Sequence, residues 1–158
     1  MKKNKVVIKG FIAVLILALI ISSYLIYIHY SDSESSFCDI SQGLSCDIVN
    51  KSLYSEFPQG SGIPVSILGF ITFFLMLVIV ILIKEDYSFK INKTKINKKV
   101  LIDFLIKLLI FSLLFAAYLV YVELYLILSI CILCVALDIL LLLMLYYSFE
   151  LRRNLNEK

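Results

Sequence analysis

Two pairs of cysteines could carry chemistry in this chain: Cys38 and Cys46, eight positions apart, and Cys131 and Cys134 in a C-x-x-C spacing. Residues i and i+3 of a helix share one face, so the C-x-x-C sulfurs can join or part with little backbone movement, which suits a redox couple. The wider pair can close a disulfide of its own and, carried by a pliant loop, swing toward the first. Attack of a thiolate on a neighbouring disulfide then passes two electrons between pairs. Two other chemistries fit the same residues: four thiolates can bind zinc, and external loops of membrane proteins are often stapled by disulfides. A bridge from Cys131 to Cys134 would be a poor staple, because so short a loop adds little chain-entropy stabilisation.

The elements that position these sulfurs have lipid as their main solvent. The 158 residues are 61% hydrophobic and 17% charged, with a mean hydropathy of +0.98, against about 45–50% and about 25% in soluble domains. This composition excludes a disordered chain, a collagen-like or disulfide-dense scaffold and, with a net charge of only +3, a nucleic-acid-binding module. Apolar runs over about residues 10–30, 64–83, 101–122 and 124–147 predict an all-α membrane protein, a four-transmembrane-helix bundle in one integral domain covering residues 1–158. An outer loop, 31–63, bears the first cysteine pair; a connector, 84–99, joins the second and third spans; only Glu123 separates the last two. The first run follows Lys2, Lys3, Lys5 and Lys9 but is too long, and too rich in tyrosine at its end, for a cleaved leader, so a retained helix is expected.

Basic residues set the sidedness. Four lie in the N-terminal tail, six from Lys84 to Lys99 and three in the C-terminal tail, whereas Lys51 stands alone between the first two spans. Retention of Lys and Arg on the inner side predicts a multi-pass protein of the cell membrane with both termini cytoplasmic and the active cysteines toward the extracytoplasmic side, where disulfides persist. There the segment Asp47–Phe57 reads as a short amphipathic helix resting on the membrane, with Ser52 either turned toward the cysteines, where it could hydrogen-bond a thiolate, or facing solvent. Asp138 follows Cys134 by four residues and Cys131 by seven, on their face of the helix. An ionised acid at that depth costs about 2.5–3.5 kcal/mol, which makes Asp138 a candidate to hydrogen-bond or protonate an oxidant; a helix–helix hydrogen bond accounts for it equally well. Glu123 and His29 read as interfacial residues. An apolar pocket between the helices suits a quinone as the electron acceptor.

The motifs together resemble the vitamin K epoxide reductase family of membrane thiol oxidoreductases. The resemblance rests on Cys38-x7-Cys46 with Ser52 six residues on, on Gly62-Ile63-Pro64-Val65-Ser66-Ile67-Leu68-Gly69, and on Tyr118 through Tyr125 leading to Cys131-Ile132-Leu133-Cys134, and it covers about residues 10 to 147. It implies a four-helix bundle around a quinone of menaquinone or ubiquinone type. Cys131 and Cys134 would be the active pair and Cys38 and Cys46 the shuttle pair. Cys46 would form the mixed disulfide with Cys131, Cys134 would face the quinone, and Cys38 would meet a separate thioredoxin-fold thiol oxidase outside the cytoplasm, for which the chain has no fused equivalent. The chain departs from the pattern at Val65 and Asp138, where some animal members carry an amide and a tyrosine, so the resemblance favours quinone-linked disulfide formation. The alternatives are a quinone or vitamin K epoxide reductase that uses thiols as reductant, and a non-catalytic four-helix membrane subunit with structural cysteines.

Overall fold

In lipid, only internal hydrogen bonding satisfies the backbone of long apolar runs, and each of the four runs folds as a helix. The computed structural model describes residues 2–31, 38, 39, 41, 43–84, 90, 91, 94, 95 and 98–156. Helix α1 spans Lys2–Tyr30, α2 Cys46–Asn50, α3 Val65–Lys84, α4 Lys98–Val122 and α5 Ile132–Asn156. A 3-10 turn at Leu53–Ser55 follows α2, and a π turn at Glu123–Ile127 extends α4. In the connector, β1 (Lys90–Ile91) pairs antiparallel with β2 (Thr94–Lys95). Residues 32–37, 40 and 42 of the expected outer loop and 85–89, 92, 93, 96 and 97 of the connector lie outside the described residues.

Four helices are long and apolar enough to cross a membrane, and the protein is a multi-pass membrane protein. They close a ring in which α1 packs against α3 and α5, and α4 against α5 and, less extensively, α3. Spacings of three and four residues put Phe11, Leu15 and Ala18 of α1, Phe73, Met76 and Val80 of α3, Ile102, Leu105 and Leu109 of α4, and Leu141 and Met144 of α5 into one core. The outward faces are apolar too, as with Ile20, Phe74, Phe111 and Leu142, which is what a lipid-facing surface requires.

At the end of the bundle where α1 and α4 finish, α2 and the 3-10 turn form a cap. Ser45 starts α2 by accepting the Ile48 N–H at 3.1 Å. The cap is tied to α1 by Asn50, whose side-chain amide donates to the Leu25 carbonyl, and by a 2.6 Å hydrogen bond between His29 Nδ1 and the Asn50 carbonyl. The expected single helix over Asp47–Phe57 is instead two short pieces. The Ser52 hydroxyl donates to the Val49 carbonyl at 2.8 Å, and that of Ser55 to the Asn50 and Ser52 carbonyls at 2.6 and 2.7 Å. These side chains take carbonyls that a continuing helix would use, and Ser52 turns extended, with ψ 153°. Beyond the cap, Gly60 and Gly62 hold φ of +79° and +72° in the turn leading to Pro64, a conformation open to glycine at no steric cost.

The last span differs from expectation. It begins at Ile132 and ends at Asn156, where the apolar pattern places 124–147. Residues 123–131 form a connection in which the Ser129 N–H donates to the Glu123 carbonyl at 3.2 Å and Leu128 reverses the chain with φ 56°. Hydropathy hides this turn because every residue from Leu124 to Leu128 is apolar or aromatic. Leu124, Tyr125, Leu126 and Leu128 turn outward at the rim, with Tyr125 at the level of an interfacial aromatic, while Ile127 packs inward against the cysteines.

Candidate redox site

The connection delivers Cys131 to the very start of α5 rather than two turns inside it. Its sulfur accepts the Cys134 N–H at 3.2 Å, in the place an N-capping oxygen usually takes. The preceding residue, Ile130, donates its N–H to the Gly43 carbonyl at 3.0 Å, and Leu44 bridges Ile130 in parallel. This backbone clasp lays the segment carrying Cys46 across the mouth of α5. Cys46 and Cys131 are both fully buried, and their sulfurs lie 3.5 Å apart. Cys46 is joined to Cys38 in a disulfide with a Cα–Cα separation of 5.5 Å, and Cys131 and Cys134 are free thiols. All four cysteines therefore meet in one apolar cluster with Leu25, Ile28 and Val49.

Cys134 is half-buried and lines a cavity of about 100 Å³ beneath the cap, walled by apolar residues of α1, α3 and α4 such as Leu25, Val65 and Leu119. Its few polar groups are Asn50, Tyr54, Ser55, Ser66 and Glu123. Through Val65 and Leu119 the cavity abuts a cleft of about 380 Å³ between α3 and α4, lined by Gly69, Phe73, Phe111, Phe115 and Asp138 among others. An apolar chamber with a handful of polar groups is the kind of site that takes a ring with polar edges. One of those groups is unpaired: the buried hydroxyl of Ser66 has no hydrogen-bond partner among the described residues.

A comparison with known families now has a geometry to meet. The profile described as the vitamin K epoxide reductase family matches residues 10–149. The chain belongs to the vitamin K epoxide reductase family. No curated protein matches it in direct sequence comparison. Vitamin K epoxide reductase family members are oxidoreductases that use quinones as electron carriers, and this chain is a membrane redox enzyme.

The residues expected at the family's site fall in two groups. Cys38, Cys46, Cys131 and Cys134 come together. Asp138 does not border the cavity that holds Cys134; it faces the adjoining cleft. Ser52 borders neither, its hydroxyl committed to Val49. Two further residues belong to the site, Asn50, which no motif singles out, and Glu123. Asn50 lines the cavity while pinning the cap to Leu25. Glu123, expected as an interfacial charge, is only 5% exposed and accepts the Cys131 N–H at 3.2 Å. The available signal was its isolation: no other acid lies between Asp103 and Asp138, and an acid inside a spanning run marks function by default.

Proposed function

We propose that the protein reoxidises an extracytoplasmic thioredoxin-fold thiol oxidase and passes the electrons to membrane quinone, supporting disulfide formation in exported proteins. The observation that carries this reading is the 3.5 Å approach of Cys46 to Cys131, with Cys134 next in line on an apolar cavity. Exchange runs inward. The partner's dithiol reduces Cys38–Cys46, the Cys46 thiolate attacks Cys131 of an oxidised inner pair and expels Cys134, and Cys38 then closes back on Cys46. Cys38 is buried here, so the first of these steps requires the segment carrying it to turn outward.

A quinone supplies the sink for two electrons and two protons. Ser66 and Cys134 would hold its ring in the cavity, and the cleft between α3 and α4, with Asp138 on its wall, would take the isoprenoid chain. Ser52 would act on the site through α2, whose Val49 carbonyl it holds. The Lys/Arg bias supports cytoplasmic termini and an extracytoplasmic cap.

The test is anaerobic reduction of the purified full-length protein, addition of a short-chain ubiquinone or menaquinone, and counting of free thiols by alkylation. Loss of the Cys131 and Cys134 thiols with one quinol formed per pair is the expected result; unchanged thiols refute the reading.

A further inference from the structure

Among the described residues, Glu123 is the one carboxylate hydrogen-bonded to the inner pair. Its Oε2 accepts the backbone N–H of Cys131 at 3.2 Å, Glu123 is only 5% exposed, and it borders the cavity beneath the cap together with Cys134. No Lys, Arg or His pairs with Glu123 among the described residues. A buried carboxylate without a cation is costly as an anion, and taking up a proton removes that cost. Oxidation of Cys134 releases a proton into the cavity that Glu123 also borders, because the sulfur loses its hydrogen when the disulfide forms.

We propose that Glu123 is the proton carrier of the inner cysteine pair, taking the S–H proton of Cys134 as the pair is oxidised and returning it to that sulfur as the pair is reduced. This rests on the redox relay proposed above. In oxidation two S–H bonds break and the Cys131–Cys134 bond forms. Two electrons leave to the quinone, the Cys134 proton moves to Glu123, and the Cys131 proton with one proton from water accompanies the electrons. In reduction the Cys46 thiolate attacks Cys131, and Cys134 departs with the proton held by Glu123, leaving the carboxylate. Among the described residues, the other titratable groups facing the cavity or the cap over it are Cys131 itself, Asp138 one turn along α5, Tyr54 of the cap, the His29–Glu56 pair between α1 and the cap, and Asp39, Asp47 and Lys51 around α2.

The proton count tests this without any quinone. Full-length protein stripped of quinone is equilibrated at several pH values in buffers of oxidised and reduced dithiothreitol, and the Cys131 and Cys134 thiols are quantified by alkylation and mass spectrometry. Each proton drawn from water per electron pair changes the equilibrium tenfold per pH unit, about 30 mV. The wild-type midpoint is expected to fall by about 30 mV per pH unit, because one of the two protons is internal, and that of Glu123→Gln by about 60 mV; Glu123→Asp keeps the shallower slope. A wild-type slope of about 60 mV overturns the proposal, and so does a shallow slope that survives in Glu123→Gln. If Glu123→Gln does not fold, the infrared difference spectrum on reduction decides: a carboxylic-acid C=O band must disappear in both wild type and Asp138→Asn, and its absence from either overturns the proposal. A shallow slope in protein that forms no quinol would refute the quinone reading and leave the proton carrier standing.

Discussion

The 3.5 Å gap between Cys46 and Cys131 can be converted into a yield. A disulfide needs about 2.05 Å, so the two sulfurs must close by roughly 1.5 Å. Shared equally, that is about 0.7 Å each, or roughly 25° of χ1 rotation per cysteine; departures of this size cost about 1–2 kcal/mol for the pair, a factor of roughly 5–30 in population. Tethering works the other way. Two thiols held on one chain see each other at an effective concentration of about 1 mM or more, about a thousandfold above a micromolar solution of protein. Tethering outweighs rotation, so a chain whose resolving partners are gone must prefer the internal bond. In the double variant Cys38→Ser/Cys134→Ser, mild oxidation of purified protein should convert most molecules to the Cys46–Cys131 disulfide. Mass spectrometry of an unreduced digest reads this bond, and the yield should stay constant on tenfold dilution. Intermolecular dimers that grow with concentration, in place of that peptide, would refute the reasoning, because the sulfurs would then not meet as the clasp between Gly43 and Ile130 requires.

Other positions make independent claims. Ser66→Ala should weaken quinone binding about fivefold, the equivalent of one hydrogen bond of about 1 kcal/mol, seen as a raised KM with unchanged inner-pair thiol labelling; an unaltered KM would remove Ser66 from the ring's contacts. Asn50→Ala removes the side-chain hydrogen bond that ties the cap to the Leu25 carbonyl and should cost about 0.5–1.5 kcal/mol, measured as a lower unfolding midpoint in detergent, and should reduce trapping of Cys46 on Cys131. Leu128→Gly should be neutral or stabilising by up to about 1 kcal/mol, since Leu128 holds φ 56° and is 74% exposed. A loss of similar size in that variant would mean the leucine side chain anchors the turn.

Much of the bundle was legible because lipid imposes a simple rule: a run of about 20 apolar residues must be a helix. Pro64 and the charges from Lys84 onward bracket α3, whose observed bounds of Val65–Lys84 lie within one residue of the pattern. The same rule is blind inside residues 124–147, where nothing polar marks the end of one helix and the start of the next. There the turn is made by backbone geometry: a π turn, a left-handed leucine and a side-chain carboxylate that reaches across eight residues to the Cys131 N–H. Such a contact follows no helical or strand period, so no periodicity reports it.

That blind spot coincides with the chemistry. The cysteine types and spacings were readable, and so was their gathering at one end of the bundle. Their depth was not, because depth depends on where α5 begins. A C-x-x-C two turns inside a helix would leave both sulfurs flanked by helix backbone whose N–H groups are already bonded. At the first turn the N–H groups are free of intrahelical partners, so Cys131 Sγ can accept the Cys134 N–H and Glu123 can bond that of Cys131 itself. The same step out of the helix exposes the Ile130 N–H to the Gly43 carbonyl, which brings Cys46 alongside. The late start of α5 thus opens the inner pair to an attacking sulfur on one side and sets a carboxylate against it on the other.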